Sequence, residues 1–330
     1  QLQSNSRQSK KDIIRSYTLL GDNYMALKQY DLAVSSYQTA IQKGKSSDLQ
    51  LKLATALFKT NNYKESTSIF EQLLDDDLSN WQRIQVLEGL GNVTLSQQQT
   101  DLAISYYKKA VRIATTHKIT PKISELNTKI AGLLTTEGKD KEASLYIQNT
   151  LKSAKSEHLK KRANVQNNVA DIYQQNNDYD NEIQLRKQTL KELEEAQVDR
   201  VDLLTNEVSA TRNITTPQLN LEIGKAYLNK KEFNKAIPYL EKSASKAKEL
   251  KELQTQKDAV QQLSELYKKI GNSKKALQKY QEYAKLVDKV YQQKEKEIED
   301  IIALNNNLRE KQNRINSLEK DRELSKSRIQ

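Results

Sequence analysis

A short pattern of apolar and small residues recurs seven times along this chain. In its clearest copy, Leu20 and Gly21 precede Tyr24. After a polar turn, Ala33 and Tyr37 follow at helical spacing. Apolar residues three and four positions apart indicate one buried face of an α-helix, and the polar turn indicates that two helices are joined tightly. No run alternates between apolar and polar residues for long, so strands are not expected. The pattern predicts an all-α chain of repeated helix pairs.

Each copy has a small residue where the two helices of a pair must approach closely. These residues are Gly21, Ala54, Gly91, Ala131, Ala170, Gly224 and Ser264. In five copies the second helix contributes an alanine: Ala33, Ala103, Ala143, Ala236 and Ala276. The longest step between copies contains the segment 198–215, which we predict to be an insertion, either a short extra helix or a functional loop. Thr216 and Pro217 then fit the N-cap and the first position of the next helix.

The phased residues resemble the tetratricopeptide repeat, a helix–turn–helix unit of about 34 residues. The resemblance covers residues 14–284 and implies a right-handed tetratricopeptide helical solenoid of about seven repeats. We therefore expect a flexible N-terminal segment at 1–13, the solenoid at 14–284, and a long helix or coiled coil at 285–330.

The segment 285–330 has a heptad pattern without Gly or Pro. Ile301, Leu308 and Ile315 occupy one core position of the heptad, and Leu304 and Leu318 occupy the other. Such spacing predicts a coiled coil, and hence a possible homodimer through 285–330. The alternative is a single long helix that packs back on the solenoid as a cap.

The chain carries 54 basic and 43 acidic residues, a formal net charge of +11. This charge is spread along helices that also carry Asp and Glu, and the 16 Tyr residues lie at core positions of the repeats. A nucleic-acid groove would need basic stripes with stacking aromatic residues, so no nucleic-acid partner is expected. The absence of Cys excludes disulfides and thiolate chemistry.

Motifs for catalysis or cofactor binding are missing from the sequence. There is no glycine-rich phosphate loop, no zinc-protease motif and no nucleophile elbow. The two histidines, His117 and His158, have no second ligand at helical spacing. We therefore expect no enzymatic activity, no cofactor and no metal site in this chain, and a function through binding.

In tetratricopeptide proteins the exposed face of the first helix of each repeat lines a concave groove. The candidate groove residues here are Arg15, Asp22, Glu88, Asn92, Thr128, Asn164, Asn167, Asp171, Gln174 and Lys225. Polar side chains at such positions can pair with a peptide backbone, although they can equally be solvated surface. The first helix has Thr18 and Asp22 where chaperone adaptors of this family have a carboxylate clamp, which argues against a chaperone-tail receptor.

The sequence from Ile301 to Leu324 is similar to the segment that joins tetratricopeptide sensor regions to a membrane helix in two-component histidine kinases of the Bacteroidetes type. The resemblance implies the extracytoplasmic, periplasmic portion of an inner-membrane protein. That portion would bind a peptide, protein or small ligand and relay binding through the C-terminal helix. No stretch approaches about 20 apolar residues, so membrane attachment is expected only through a segment beyond residue 330. The alternative is a soluble cytoplasmic adaptor or peptide-responsive regulator. Kinase motifs are missing, and both ends are expected to be cut.

Overall fold

The computed structural model describes residues 2–199 and 213–329, and the regular elements in these ranges are all α-helices. They are α1 (Leu2–Ala26), α2 (Tyr30–Lys43), α3 (Ser47–Lys59), α4 (Tyr63–Leu74), α5 (Asn80–Ser96), α6 (Thr100–Thr116), α7 (Thr120–Thr136), α8 (Asp140–Ala154), α9 (Leu159–Gln175), α10 (Tyr179–Glu195), α11 (Thr216–Asn229), α12 (Phe233–Glu249), α13 (Leu253–Lys269) and α14 (Ser273–Ile329). The prediction of an all-α repeat fold with a long C-terminal helix is confirmed. Most of the predicted insertion, residues 200–212, lies outside the described residues.

The chain divides into two compact units. The first lies within Gln1–His117 and Lys296–Gln330, and the second lies within Lys118–Glu295. Helix α14 contributes its first part to the second unit and its remainder to the first. Each unit is described separately below.

A left-handed residue ends the first helix of each pair. These residues are Lys28, Asn61, Gln98, Gly138, Asn177, Lys231 and Gly271, with φ between 56° and 79°. The amide of the next residue donates to the carbonyl five residues earlier, as from Gln29 to Tyr24 at 2.8 Å and from Gln99 to Thr94 at 2.9 Å. This pattern satisfies carbonyls at the helix end and reverses the chain within three residues.

Helix pairs of the first unit are packed through one small residue and one aromatic ring. A Cβ atom added at Gly91 would lie 2.4 Å from Cε1 of Tyr107. A Cβ atom added at Gly21 would lie equally close to Cε1 of Tyr37. Both tyrosines are buried. Each ring therefore lies directly against the backbone of the preceding helix, as the small residues in the sequence predict.

The second unit has the same arrangement with aliphatic side chains. Leu240 of α12 packs against Gly224 of α11 and belongs to the hydrophobic cluster that contains Leu219, Ile223 and Leu263. The N-cap of α11 is Thr215, in a capping box with Gln218, so the prediction of Thr216 as the cap is one residue late. Thr215 is the cap because its side chain reaches the amide three residues on, the geometry that a capping box requires.

Residues 2–13 of the N-terminal segment belong to the first helix, and the flexibility expected for this segment stays a prediction. Helix α1 begins at Leu2, within the segment 1–13 for which flexibility is predicted. No Gly or Pro precedes Gly21, so nothing in the chain stops the helix from extending toward its N-terminus.

Within the first unit, the last part of α14 packs against α1 and α2. Leu308 is only 8% exposed and joins a cluster with Tyr17 and Tyr24, and Ile315 packs beside it. The hydroxyl of Tyr17 donates to Oδ1 of Asn316 at 2.7 Å. We call residues 302–319 the tail.

The tail corresponds to the second of the two alternatives drawn from its heptad pattern. Its contacting face carries Leu308, Gln312 and Ile315, whereas Leu304 and Leu318 of the predicted heptad are exposed. The predicted self-association through 285–330 stays a prediction.

Candidate binding groove

The first unit has an open groove whose walls are α1, α3 and α5. Its volume is about 640 Å³. The groove is lined by Asp22, Met25, Tyr37, Asp48, Leu51, Lys52, Thr55, Ser79, Trp81, Gln82 and Gln85. Apart from Tyr37 of α2 and Ser79, the N-cap of α5, these residues lie on the first helices of three successive pairs. The arrangement can hold an extended chain segment across several repeats.

A hydrogen-bonded cluster forms the floor of this groove. The hydroxyl of Tyr37 donates to Oδ1 of Asp22 at 2.7 Å, and Nζ of Lys52 donates to the same oxygen at 2.7 Å. Burial raises the pKa of Tyr37, and Asp22 and the charge of Asp48 raise it further. The hydroxyl therefore remains a donor at neutral pH, and both carboxylates lie close to it.

Trp81 lines the same groove near the start of α5. A capping box between Ser79 and Gln82 satisfies backbone amides at the start of that helix. The indole is 46% exposed. A large, half-exposed aromatic ring beside polar groups is the residue type that most often anchors a protein partner. Trp81 is not among the ten residues that the sequence predicts for the groove.

Two candidate residues of the first unit link the two helices of their own repeat. Asp22 accepts from Tyr37, and Asn92 accepts from Tyr107 at 2.7 Å in the equivalent place, each pair being 15 residues apart. Burial raises the pKa of Tyr107, and the charge of Glu88 raises it further. Part of the hydrogen-bonding capacity of these side chains is thus used within the repeat.

The second unit builds the same contact with an arginine. Arg186 is fully buried at the position where other copies have Tyr, Phe, Ile or Leu, and its NH2 group donates to Asp171, 15 residues earlier, at 2.7 Å. Its Nε donates to Glu182 at 3.0 Å, and its NH1 group donates to Asn167. Gln174 also donates to Glu182, at 3.1 Å. Burial raises the pKa of Glu182, and the neighbouring guanidinium only partly offsets that increase.

Three of the candidates, Asn167, Asp171 and Gln174, therefore surround a buried ion pair. This explains their polarity without a ligand. Sequence reasoning missed Arg186, although one signal was present: it lies 16 residues after Ala170, where the aromatic residue of the clearest copies lies after its small residue.

Other candidates bond to nearby groups. Oγ1 of Thr128 donates to the carbonyl of Ser124 at 2.7 Å, and Lys225 pairs with Glu222 at 2.9 Å. The amide of Asn164 donates to Asn213 at 2.7 Å, and its oxygen accepts from the backbone of Ile214 at 2.6 Å. Arg15 is exposed on α1, and Glu88 is buried on α5. Of the ten candidates, only Asp22 lines the groove described above.

Over residues 2–199 and 213–329, no cluster of three or more His, Asp and Glu side chains is placed to hold a metal ion. In that part of the chain, no helix combines the length and apolar character needed to cross a membrane.

Family models of the tetratricopeptide repeat match residues 14–42, 51–117 and 217–245. A segment of 67 residues is 36% identical to mouse tetratricopeptide repeat protein 21B, covering 20% of this chain and 5% of that protein. The chain thus contains tetratricopeptide repeats, as the phased small and aromatic residues predict.

Two solved structures show the same fold at low sequence identity. One is a signal transduction ATPase with numerous domains and a tetratricopeptide repeat sensor, from Pyrococcus horikoshii. It is 15% identical with a TM-score of 0.58, over 83% of this chain and 41% of that chain. The other is aspartyl phosphate phosphatase F from Bacillus subtilis, 15% identical with a TM-score of 0.54, over 84% of this chain and 75% of that chain.

Proposed function

We propose that this chain is the non-catalytic sensor region of a signal-transduction protein and that it binds a protein or peptide in the groove of the first unit. Tetratricopeptide repeats act in protein–protein interaction. The observation that carries the proposal is the open groove of about 640 Å³ with the half-exposed Trp81 on its wall. A groove of this size fits several residues of an extended segment rather than a whole folded domain.

The groove combines the two kinds of contact that peptide recognition requires. The half-buried Met25 offers apolar surface, while Gln85 and the amide nitrogen of Gln82 can pair with a peptide backbone. The hydroxyl of Thr55 donates to the carbonyl of Leu51 and can still accept a hydrogen bond. Covering an aromatic anchor in such a site typically contributes about 2 kcal/mol or more to binding. Trp81→Ala should therefore weaken binding of the partner by roughly 30-fold.

The tail provides a route by which binding can be relayed. Helix α1 carries Asp22 in the groove and Tyr17 beneath the tail, so one rigid element contacts both surfaces. Lys43 of α2 and Glu319 of the tail form an ion pair at the same contact. A ligand that shifts α1 changes the packing of the tail, and this shift is the signal in our proposal.

We extend this proposal to the cellular context that the C-terminal sequence resembles. In that context the chain is the periplasmic sensor of a two-component histidine kinase, with the tail leading to a membrane helix beyond residue 330. The archaeal ATPase also uses tetratricopeptide repeats as a sensor. Cell fractionation and protease accessibility of the full-length protein test this assignment, and a cytoplasmic location would contradict it.

Site-specific photo-crosslinking in the host cell tests the binding function directly. A photoreactive phenylalanine analogue is placed at Trp81 and, as a matched control, at Leu145, an exposed apolar residue of α8 in the second unit. We expect a discrete crosslinked species from position 81 and none from position 145. Identical products at both positions, or none at either, would contradict binding in this groove.

A further inference from the structure

We infer that the groove of the first unit selects a peptide segment that presents a Lys or Arg side chain next to an apolar residue. This inference rests on the proposed function and adds the chemical class of the partner to it. Its basis is the combination of two carboxylates, the indole ring of Trp81 and the apolar side chain of Met25 in the lining of one groove.

The charged groups of the groove leave one carboxylate without a cation. Lys52 donates to Asp22 at 2.7 Å, so these two charges compensate each other. Asp48 is exposed on α3 and makes no hydrogen bond or ion pair with another described residue. Its charge acts within the groove, since it raises the pKa of the Tyr37 hydroxyl at the groove floor. The described lining of the groove, which includes Trp81, therefore carries two carboxylates against one ammonium group and a net negative charge.

The negative charge of the groove lining determines the preference for a cationic side chain, although the whole chain has a net charge of +11. At physiological ionic strength, charges more than about 8 Å away are largely screened. A cationic side chain within the groove thus senses Asp48 more strongly than the lysines of distant helices. An acidic side chain in the same place would be repelled by Asp48. Lys52 is the one cation among the described lining residues, and it is already paired with Asp22.

Trp81 adds a second contact for the same side chain. A cation within about 6 Å of an indole face is attracted by the ring quadrupole, and Trp is the best of the aromatic residues in this role. The aliphatic stem of Lys or Arg also covers apolar surface while its charged end stays hydrated. The half-buried Met25 then contacts the neighbouring apolar residue of the peptide.

Selection from a random peptide library tests this chemistry because every side-chain type competes for the groove in one experiment. A phage-displayed library of 12-residue peptides is panned on the full chain, and enriched peptides are synthesised and titrated. We expect enriched peptides to share a Lys or Arg flanked by an aliphatic or aromatic residue. Asp48→Asn should weaken them roughly fivefold to tenfold, and Asp48→Glu should bind nearly as well as the parent chain.

Glu71→Gln is the matched control, since Glu71 is also exposed but lies on α4, the second helix of its pair. Its affinity for the peptides should equal that of the parent chain, and circular dichroism should show all variants folded. Enrichment of acidic peptides, or basic peptides that bind Asp48→Asn and the parent chain equally, would overturn the partner class while leaving groove binding intact. If no peptide is enriched and the photoreactive analogue at position 81 also gives no crosslinked species, the proposed function itself is wrong.

Discussion

At the scale of single residues, one contact recurs and tolerates different chemistry. Tyr37, Tyr107 and Arg186 each reach back 15 residues to an Asp or Asn on the preceding helix. A tyrosine needs only its hydroxyl satisfied there, whereas an arginine needs its charge neutralised as well. The contact at this position therefore stabilises the repeat. It contributes to binding only where the neighbouring groove is open.

Gly91→Ala should destabilise the protein. Its Cβ would lie 2.4 Å from the Tyr107 ring, a clash that forces the two helices apart and costs about 1–3 kcal/mol. Gly132→Ala is the matched control, because the nearest atom there is 4.0 Å away and the substitution should stabilise its helix by about 0.5–1 kcal/mol. Chemical denaturation measures both values. Equal stabilities for the two variants would contradict the close packing at Gly91.

Arg186→Leu should be more damaging at neutral than at acidic pH. Without the guanidinium, the buried Glu182 keeps an uncompensated charge, which costs about 3–5 kcal/mol. The pKa of Glu182 is already raised by burial, and loss of Arg186 removes a group that lowers it. The folded variant therefore binds a proton more tightly than the unfolded chain, and its stability rises as the pH falls.

Denaturation at about pH 5 and about pH 8 checks this expectation for Arg186→Leu and for the double variant with Glu182→Leu. The double variant should recover part of the lost stability and lose the pH dependence. If Arg186→Leu destabilises the protein equally at both pH values, the charge of Glu182 is not the cause of the destabilisation.

At the scale of helices, the turns show how the pairs close with few glycines. Only two of the seven left-handed residues between paired helices are glycine, and the others include Lys28, Gln98 and Lys231. Such residues cost energy in this conformation because their Cβ crowds the backbone. The turns are tolerated because the helix-end hydrogen bonds and the packed pairs on both sides fix the chain path.

Gln98→Gly should therefore stabilise the first unit by about 1 kcal/mol, since glycine adopts a φ of 62° without strain. Gln97→Gly is the control at the adjacent position, where φ is −89° and glycine only adds flexibility to the unfolded chain. Thermal denaturation should give a higher midpoint for the first variant and a lower one for the second. The reverse order would contradict the described turn.

The tail makes a second prediction at this scale. Leu308→Asp places a charge in the contact with α1 and α2 and should release the tail, whereas Leu304→Asp should have little effect because Leu304 is 54% exposed. Hydrogen exchange of residues 302–319 measures the release, and sedimentation velocity measures self-association. If Leu304→Asp disrupts a dimer and Leu308→Asp changes nothing, the tail is a coiled coil between chains instead.

At the scale of the whole molecule, the sequence predicted the repeat class because its signal is periodic. Small and aromatic residues that recur in phase identify the buried face of each helix, and these residues alone are enough to recognise the repeat class. The partner of the tail was harder to predict, because a second chain and the first repeat can each cover the apolar residues of its heptad pattern. Pattern alone does not choose between partners with similar apolar faces.

The binding groove was predicted only in part for a similar reason. Polar residues on the first helices can serve the fold or a ligand, and the sequence does not show which ones already have partners within the repeat. Asp22 does both, whereas Asn167 and Asp171 pair with Arg186. Trp81 and Asp48 were missed as groove residues because both lie near helix starts, where a packing or capping role explains them equally well.

Hydrogen exchange of the full chain, with and without a saturating peptide from the display selection, tests the central claim most directly. Binding in the groove predicts slower exchange in α1, α3 and α5, together with changed exchange in residues 302–319 of the tail. Protection in the three helices without any change in the tail would support binding but reject the relay. Protection confined to Lys118–Glu295 would contradict the account as a whole.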